Sequence, residues 1–84
     1  MPHEWLLYTR AGCHLCETAE EWLRDWADEH GATLTLINIL ADLAVYEQYK
    51  WKIPVLVIGE LVWAAPLDEQ QIKGEARLGI TGNV

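Results

Sequence analysis

Apolar residues come in short bursts along the chain, and their spacing changes from burst to burst. Trp5-Leu6-Leu7-Tyr8 is continuous, the mark of a strand covered on both faces, and predicts a strand over residues 4–9. From Cys13 to His30 the spacing lengthens to the helical period. Leu15, Cys16, Ala19, Trp22, Leu23, Trp26 and Ala27 form an apolar stripe, and Glu17, Glu20, Glu21, Asp25, Asp28 and Glu29 fill the opposite side. Gly31 offers a left-handed stop. Thr33 to Leu40 reads as a second strand, parallel to the first because a helix joins them by a right-handed crossover. Asp42 is placed to cap a short helix from Leu43 to about Tyr49. Val55–Ile58 and Leu61–Ala64 then read as a hairpin around Gly59-Glu60. Pro66 is expected to open a last helix, with Asp68 and Glu69 in its first turn, Gly74 inside it, Gly79 ending it, and Ile80 to Val84 as a tail. The order β-α-β-α-β-β-α places the chain in the α/β class, as a four-stranded mixed sheet with helices on both faces.

Composition narrows the field of partners. The 84 residues are enough for a single domain, 1–84, and 51% apolar content with five tryptophans supplies a core. A net charge of −7 argues against nucleic acid and against an anionic membrane surface. No run approaches the roughly 18 apolar residues that cross a bilayer. Met1-Pro2-His3-Glu4 lacks the basic segment of a secretory signal, so a cytoplasmic monomer is expected.

In a reducing compartment a cysteine pair is more often catalytic or metal-binding than structural. The chain has two cysteines, Cys13 and Cys16, and they stand where the first strand passes into the longest helix. Thiols three residues apart on a first helical turn can close a disulfide with little backbone movement. The unpaired amides of a helix start also stabilise a thiolate. A redox dithiol is therefore the leading reading; two inert small side chains, or a metal site completed by His14 and outside ligands, stay open. His14, if protonated beside Cys13, would lower the thiol pKa; it is equally placed to face solvent. Arg10, Lys50 and Lys52 carry half of the six basic residues and are candidates for a basic rim, or plain solvated charge. Trp51 and Trp63 could line a groove or pack on the sheet, and His3 and His30 read as surface residues.

The segment Tyr8-Thr9-Arg10-Ala11-Gly12-Cys13-His14-Leu15-Cys16, followed by Ile53-Pro54-Val55-Leu56 and by Trp63 through Pro66-Leu67-Asp68, resembles the small glutaredoxin-like proteins of the thioredoxin fold. The resemblance spans about residues 4 to 78. It implies a thiol–disulfide oxidoreductase in which Cys13 attacks a disulfide, Cys16 resolves the mixed disulfide, and Pro54 follows a cis bond. That bond would present the amide and carbonyl of Ile53 to an incoming chain. It also places Lys50 and Lys52 near the cysteines, and Asp68 where an acidic residue meets the amine of glutathione; the alternative for Asp68 is a plain helix-start carboxylate. The implied partner is a protein disulfide or glutathione, with no bound cofactor. A binding module that recognises a partner or handles a metal or iron–sulfur cluster is the alternative.

Overall fold

The computed structural model describes residues 3–81, with side chains as far as Arg77. Strand β1 (Glu4–Thr9) leads into helix α1 (His14–Glu29), strand β2 (Thr33–Asn38) and a single 3-10 turn (Ile39–Ala41). Helix α2 (Leu43–Tyr49), strands β3 (Val55–Ile58) and β4 (Leu61–Ala64), and helix α3 (Glu69–Thr81) complete the order. The sheet runs β2-β1-β3-β4, with β1 parallel to β2 and antiparallel to β3, and β4 antiparallel to β3. This is the mixed sheet and the element order that the pattern predicts.

Alternation along β1 divides its neighbours between two faces. Trp5 and Leu7, aligned with Ile58 and Leu56 of β3, lie under α1 and α3 and are fully buried. Ala19, Leu23, Trp26 and Ala27 of α1 and Ile72 and Ala76 of α3 close this core from above. Trp5 and Trp26 pack ring against ring, centroids 4.6 Å apart. Full burial of an apolar side chain contributes about 1.5–3 kcal/mol, so this layer carries most of the stabilisation. On the other face Tyr8 meets Tyr49 of α2 at 4.6 Å, yet no residue of α2 is fully buried. Among the described residues no polar or charged residue is buried.

Helix ends depart from the sequence reading in places that have local causes. Cys13 is the cap of α1, one residue before its first turn, rather than its first helical residue. At the other end Gly31 takes φ +65°, and the amide of Ala32 donates to the Ala27 carbonyl at 2.8 Å while that of Gly31 donates to Asp28, which ends the helix as expected. Strand β2 stops at Asn38, short of Leu40, because the Asn38 side chain accepts from the Leu40 amide at 2.9 Å and starts the 3-10 turn. Asp42 caps α2 through the amides of Ala44 and Val45, as predicted. Helix α3 begins at Glu69, not at Pro66. Pro66 follows a cis bond in the connector, and Asp68 is the cap, its carboxylate accepting from the Gln71 amide at 2.8 Å. Gly79 does not end α3, which runs on to Thr81; of the expected tail, residues 82–84 lie outside the described residues.

Candidate active site at the start of α1

Three local features bring the cysteines together. The connector Arg10-Ala11-Gly12 turns sharply, with Gly12 at φ +80°, a conformation that favours glycine. The Cys13 amide donates back to the Arg10 carbonyl at 3.3 Å. Cys13 then adopts an extended backbone, and its sulfur accepts from the Cys16 amide at 3.2 Å, while its carbonyl accepts from the Glu17 amide. A sulfur thus occupies the capping position that serine or aspartate usually holds. Cys13 and Cys16 form a disulfide, with Cα atoms 5.2 Å apart. The two sides of that bond differ in access: Cys13 is half-buried, whereas Cys16 is 2% exposed.

The opposite wall comes from the two connectors that enter and leave the β3–β4 hairpin. Ile53–Pro54 is cis, and so is Ala65–Pro66. The amide of Ala65 donates to the Lys52 carbonyl at 3.0 Å, which ties the two connectors together. Between them and α1 lies an apolar groove of about 90 Å³, lined on the α1 side by Leu15, Thr18, Ala19 and Trp22 and across from it by Pro54, Pro66 and Leu67.

The family model for a glutaredoxin-like domain (DUF836) matches residues 4–76, almost the whole described chain. This chain belongs to the glutaredoxin-like domain family. Two solved structures at 27% identity share its fold. The target protein XcR50 from X. campestris matches with a TM-score of 0.71, over 86% of this chain and 93% of its own. Protein Ne2328 from Nitrosomonas europaea matches at 0.68, over 89% and 92%. Thioredoxin 1 from Thermosipho africanus TCF52B, at 13% identity, matches at 0.72 over 94% of this chain and 98% of its own, which shows the thioredoxin-like architecture and nothing more specific. Among curated proteins nothing matches.

The residues singled out from the sequence are distributed unevenly around this glutaredoxin-like centre. Pro54 follows a cis bond, as the resemblance implied, but the Ile53 amide is not presented outward: it donates to the Tyr49 carbonyl at 3.2 Å, at the end of α2. Lys52 is exposed, with its amide held by the same Tyr49 carbonyl at 2.8 Å. Lys50 instead pairs with Glu47 at 3.0 Å and stands over the Tyr46 ring, so its charge is spent within α2. Arg10 is exposed beside the connector turn. The His14 side chain is 91% exposed and its Nδ1 lies 3.8 Å from the Glu17 carboxylate; the imidazole thus has a carboxylate for its neighbour. Asp68 is a helix cap, the plainer of its two readings.

Trp51 is exposed to 88%, outside both the groove and the sheet. Trp63 is half-buried, and its indole donates to Glu75 at 2.7 Å, which fastens β4 to α3. Hydrogen bonds from the Gln71 amide group and from the Trp63 indole hold the Glu75 carboxyl below its ordinary pKa. Among the described residues no three His, Cys, Asp or Glu side chains gather as a metal-ligand set.

Sequence reasoning missed the groove. It assigned Leu15 to the buried stripe, but Leu15 is 61% exposed. The deep positions are 16, 19, 23, 26 and 27, and Leu15, one residue ahead of Cys16, is rotated about 100° from it around the helix. Leu15 and Trp22, at i and i+7, make a second row beside the first and share Ala19 with it. A stripe wider than one core contact needs is the signal that was available.

Proposed function

We propose that this glutaredoxin-like domain is a thiol–disulfide oxidoreductase that exchanges its Cys13–Cys16 pair with the disulfide of a protein or of glutathione. The observation that carries the reading is the unequal access of two bonded sulfurs at a helix cap. Cys13 can be reached, carries a backbone N–H on its sulfur, and has Cys16 buried directly behind it.

In the reduced state the Cys16 amide and the positive end of α1 would favour a thiolate at Cys13. Each pKa unit of such stabilisation corresponds to about 1.4 kcal/mol, and a helix end supplies about 0.3–1 kcal/mol of it. The Cys13 thiolate attacks one sulfur of the substrate disulfide, and the other leaves as a thiolate and takes a proton. Cys16, deprotonated, then attacks the Cys13 sulfur of the mixed disulfide and expels the second substrate thiol. Two electrons and two protons pass to the substrate, and the Cys13–Cys16 bond remains. The reverse sequence regenerates the dithiol from an external thiol. Arg10 and Lys52, the exposed cations of the connectors, favour anionic sulfur nearby, and the Ile53 carbonyl next to Pro54 accepts from the backbone of the bound chain. No resident cofactor is needed for these steps.

A redox titration tests the proposal. Protein equilibrated against graded ratios of reduced and oxidised dithiothreitol, alkylated and weighed, should pass reversibly between a doubly alkylated and an unalkylated species. A pair that stays oxidised or stays reduced across the whole range would refute it.

A further inference from the structure

The proposed exchange leaves open what distinguishes one disulfide from another, and the groove that begins at Leu15 bears on that. Leu15 stands between the two cysteines in sequence and forms the lip of the groove. Ala19, 3% exposed, and the buried Pro54 form its floor, and Trp22, Pro66 and Leu67 its walls. From Leu15 to Trp22 the groove follows α1 for about 10 Å, at roughly 1.5 Å per residue, and it begins at the residue between the two cysteines. Leu15 and Pro54, which line it, neighbour Cys16 and the cis Ile53–Pro54 bond in sequence, so an occupant lies next to the site rather than on the sulfurs themselves.

Size and chemistry limit the occupant. Sites that enclose a whole small molecule hold about 300–1,000 Å³. A space of about 90 Å³ is the size of one side chain. None of the residues lining it is charged, and Thr18, its one hydroxyl-bearing side chain, already donates that hydroxyl to the His14 carbonyl at 3.3 Å. Glutathione carries two carboxylates and an ammonium, and none of them finds a partner there. The acidic side chains of Glu17, Asp68 and Glu69 belong to the turns that flank the groove, and the chain as a whole carries a net −7. An anionic disulfide thus finds no counter-charge in the groove, because the exposed cations Arg10 and Lys52 are not among the residues that line it.

Building on the exchange reading above, we infer that this groove is a specificity pocket that takes the apolar side chain next to the reacting half-cystine of a protein substrate, and so prefers protein disulfides over glutathione disulfide. The occupant is a neutral or basic segment carrying a side chain of leucine size. Hydrophobic pockets discriminate such side chains by about 10–200-fold.

Single-turnover kinetics test this without any second reductant. Pre-reduced protein is mixed with short neutral peptide disulfides bearing leucine or glycine beside the half-cystine, or with glutathione disulfide, and closure of Cys13–Cys16 is followed by alkylation and mass. The leucine peptide should react at least about tenfold faster than the glycine peptide and than glutathione disulfide. Thr18→Phe, which fills the groove from an exposed position, should erase the leucine preference. Leu15→Lys, which puts a cation at the lip, should shift the ratio toward glutathione disulfide. Thermal melts establish that both variants fold. Equal rates for the three disulfides, or a wild-type preference for glutathione disulfide, overturn the pocket and leave the exchange reading intact. Reaction with none of them overturns the exchange reading itself.

Discussion

The two faces of the sheet are built to different standards. Under α1 and α3, Trp5, Leu7, Leu23, Leu56, Ile58 and Ile72 are excluded from water and interlock in one layer. Over the other face α2 spans seven residues, buries none of them fully, and leaves Leu43 76% exposed. Val62, on the same face as Val57 and Leu6 by register, is 58% exposed. The first face holds the fold and the second positions a connector. The candidate site sits where they meet: the Cys13 cap belongs to the well-packed helix, and the Lys52–Pro54 segment hangs from the carbonyl of Tyr49 at the end of the loosely covered one. A sulfur at a helix cap thus faces a wall in which Pro54 is fully buried while Lys52 and Ile53 are held by hydrogen bonds to Tyr49.

That contrast can be broken in graded ways. The largest effect is expected at the sulfur: Cys13→Ser should abolish exchange in the single-turnover assay while thermal unfolding of the reduced protein stays nearly where it was. Next is the packed layer. Leu23→Ala should cost about 2–5 kcal/mol in urea unfolding, because it removes a fully buried side chain from the core cluster and leaves a cavity. The matching truncation on the thin face, Leu43→Ala, should stay within about 0.5 kcal/mol. If the two cost the same, the asymmetry between the faces is wrong. Asp68→Ala removes the cap of α3 and should cost about 0.5–2 kcal/mol in the same unfolding measurement, with Asp68→Asn retaining most of it.

The smallest effect is acid-linked. Because the Glu75 carboxyl is held below its ordinary pKa in the folded state, its contribution is present above the ordinary carboxylate value. It fades as pH falls through the lowered one. Acid should therefore loosen the Trp63–Glu75 contact, seen as a change in tryptophan emission. Glu75→Gln should flatten that pH dependence.

How much the sequence disclosed follows the same division. Elements fixed by local chemistry were legible: the apolar run of β1, the Gly31 stop, the Asp42 cap, and the hairpin around Gly59-Glu60. The cysteine pair was legible too, because strand-to-helix junctions announce themselves by a change of period. What escaped were features that depend on a partner far along the chain. Pro66 looks like a helix opener until the Ala65 amide is seen bonded to Lys52 and Asp68 is seen capping the helix instead. The groove was invisible for the same reason: its floor joins a residue of α1 to a proline 35 positions later (Ala19 and Pro54).

The central claim is that the reachable sulfur is the one that attacks and the buried one the one that resolves. It is tested most directly by intact-mass analysis of two single variants, each reduced and then offered a disulfide-bonded peptide. Cys16→Ser should accumulate a stable adduct one peptide heavier, linked through Cys13, that dithiothreitol removes. Cys13→Ser should form little or none. Equal trapping by the two variants, or faster trapping through Cys16, would contradict the account.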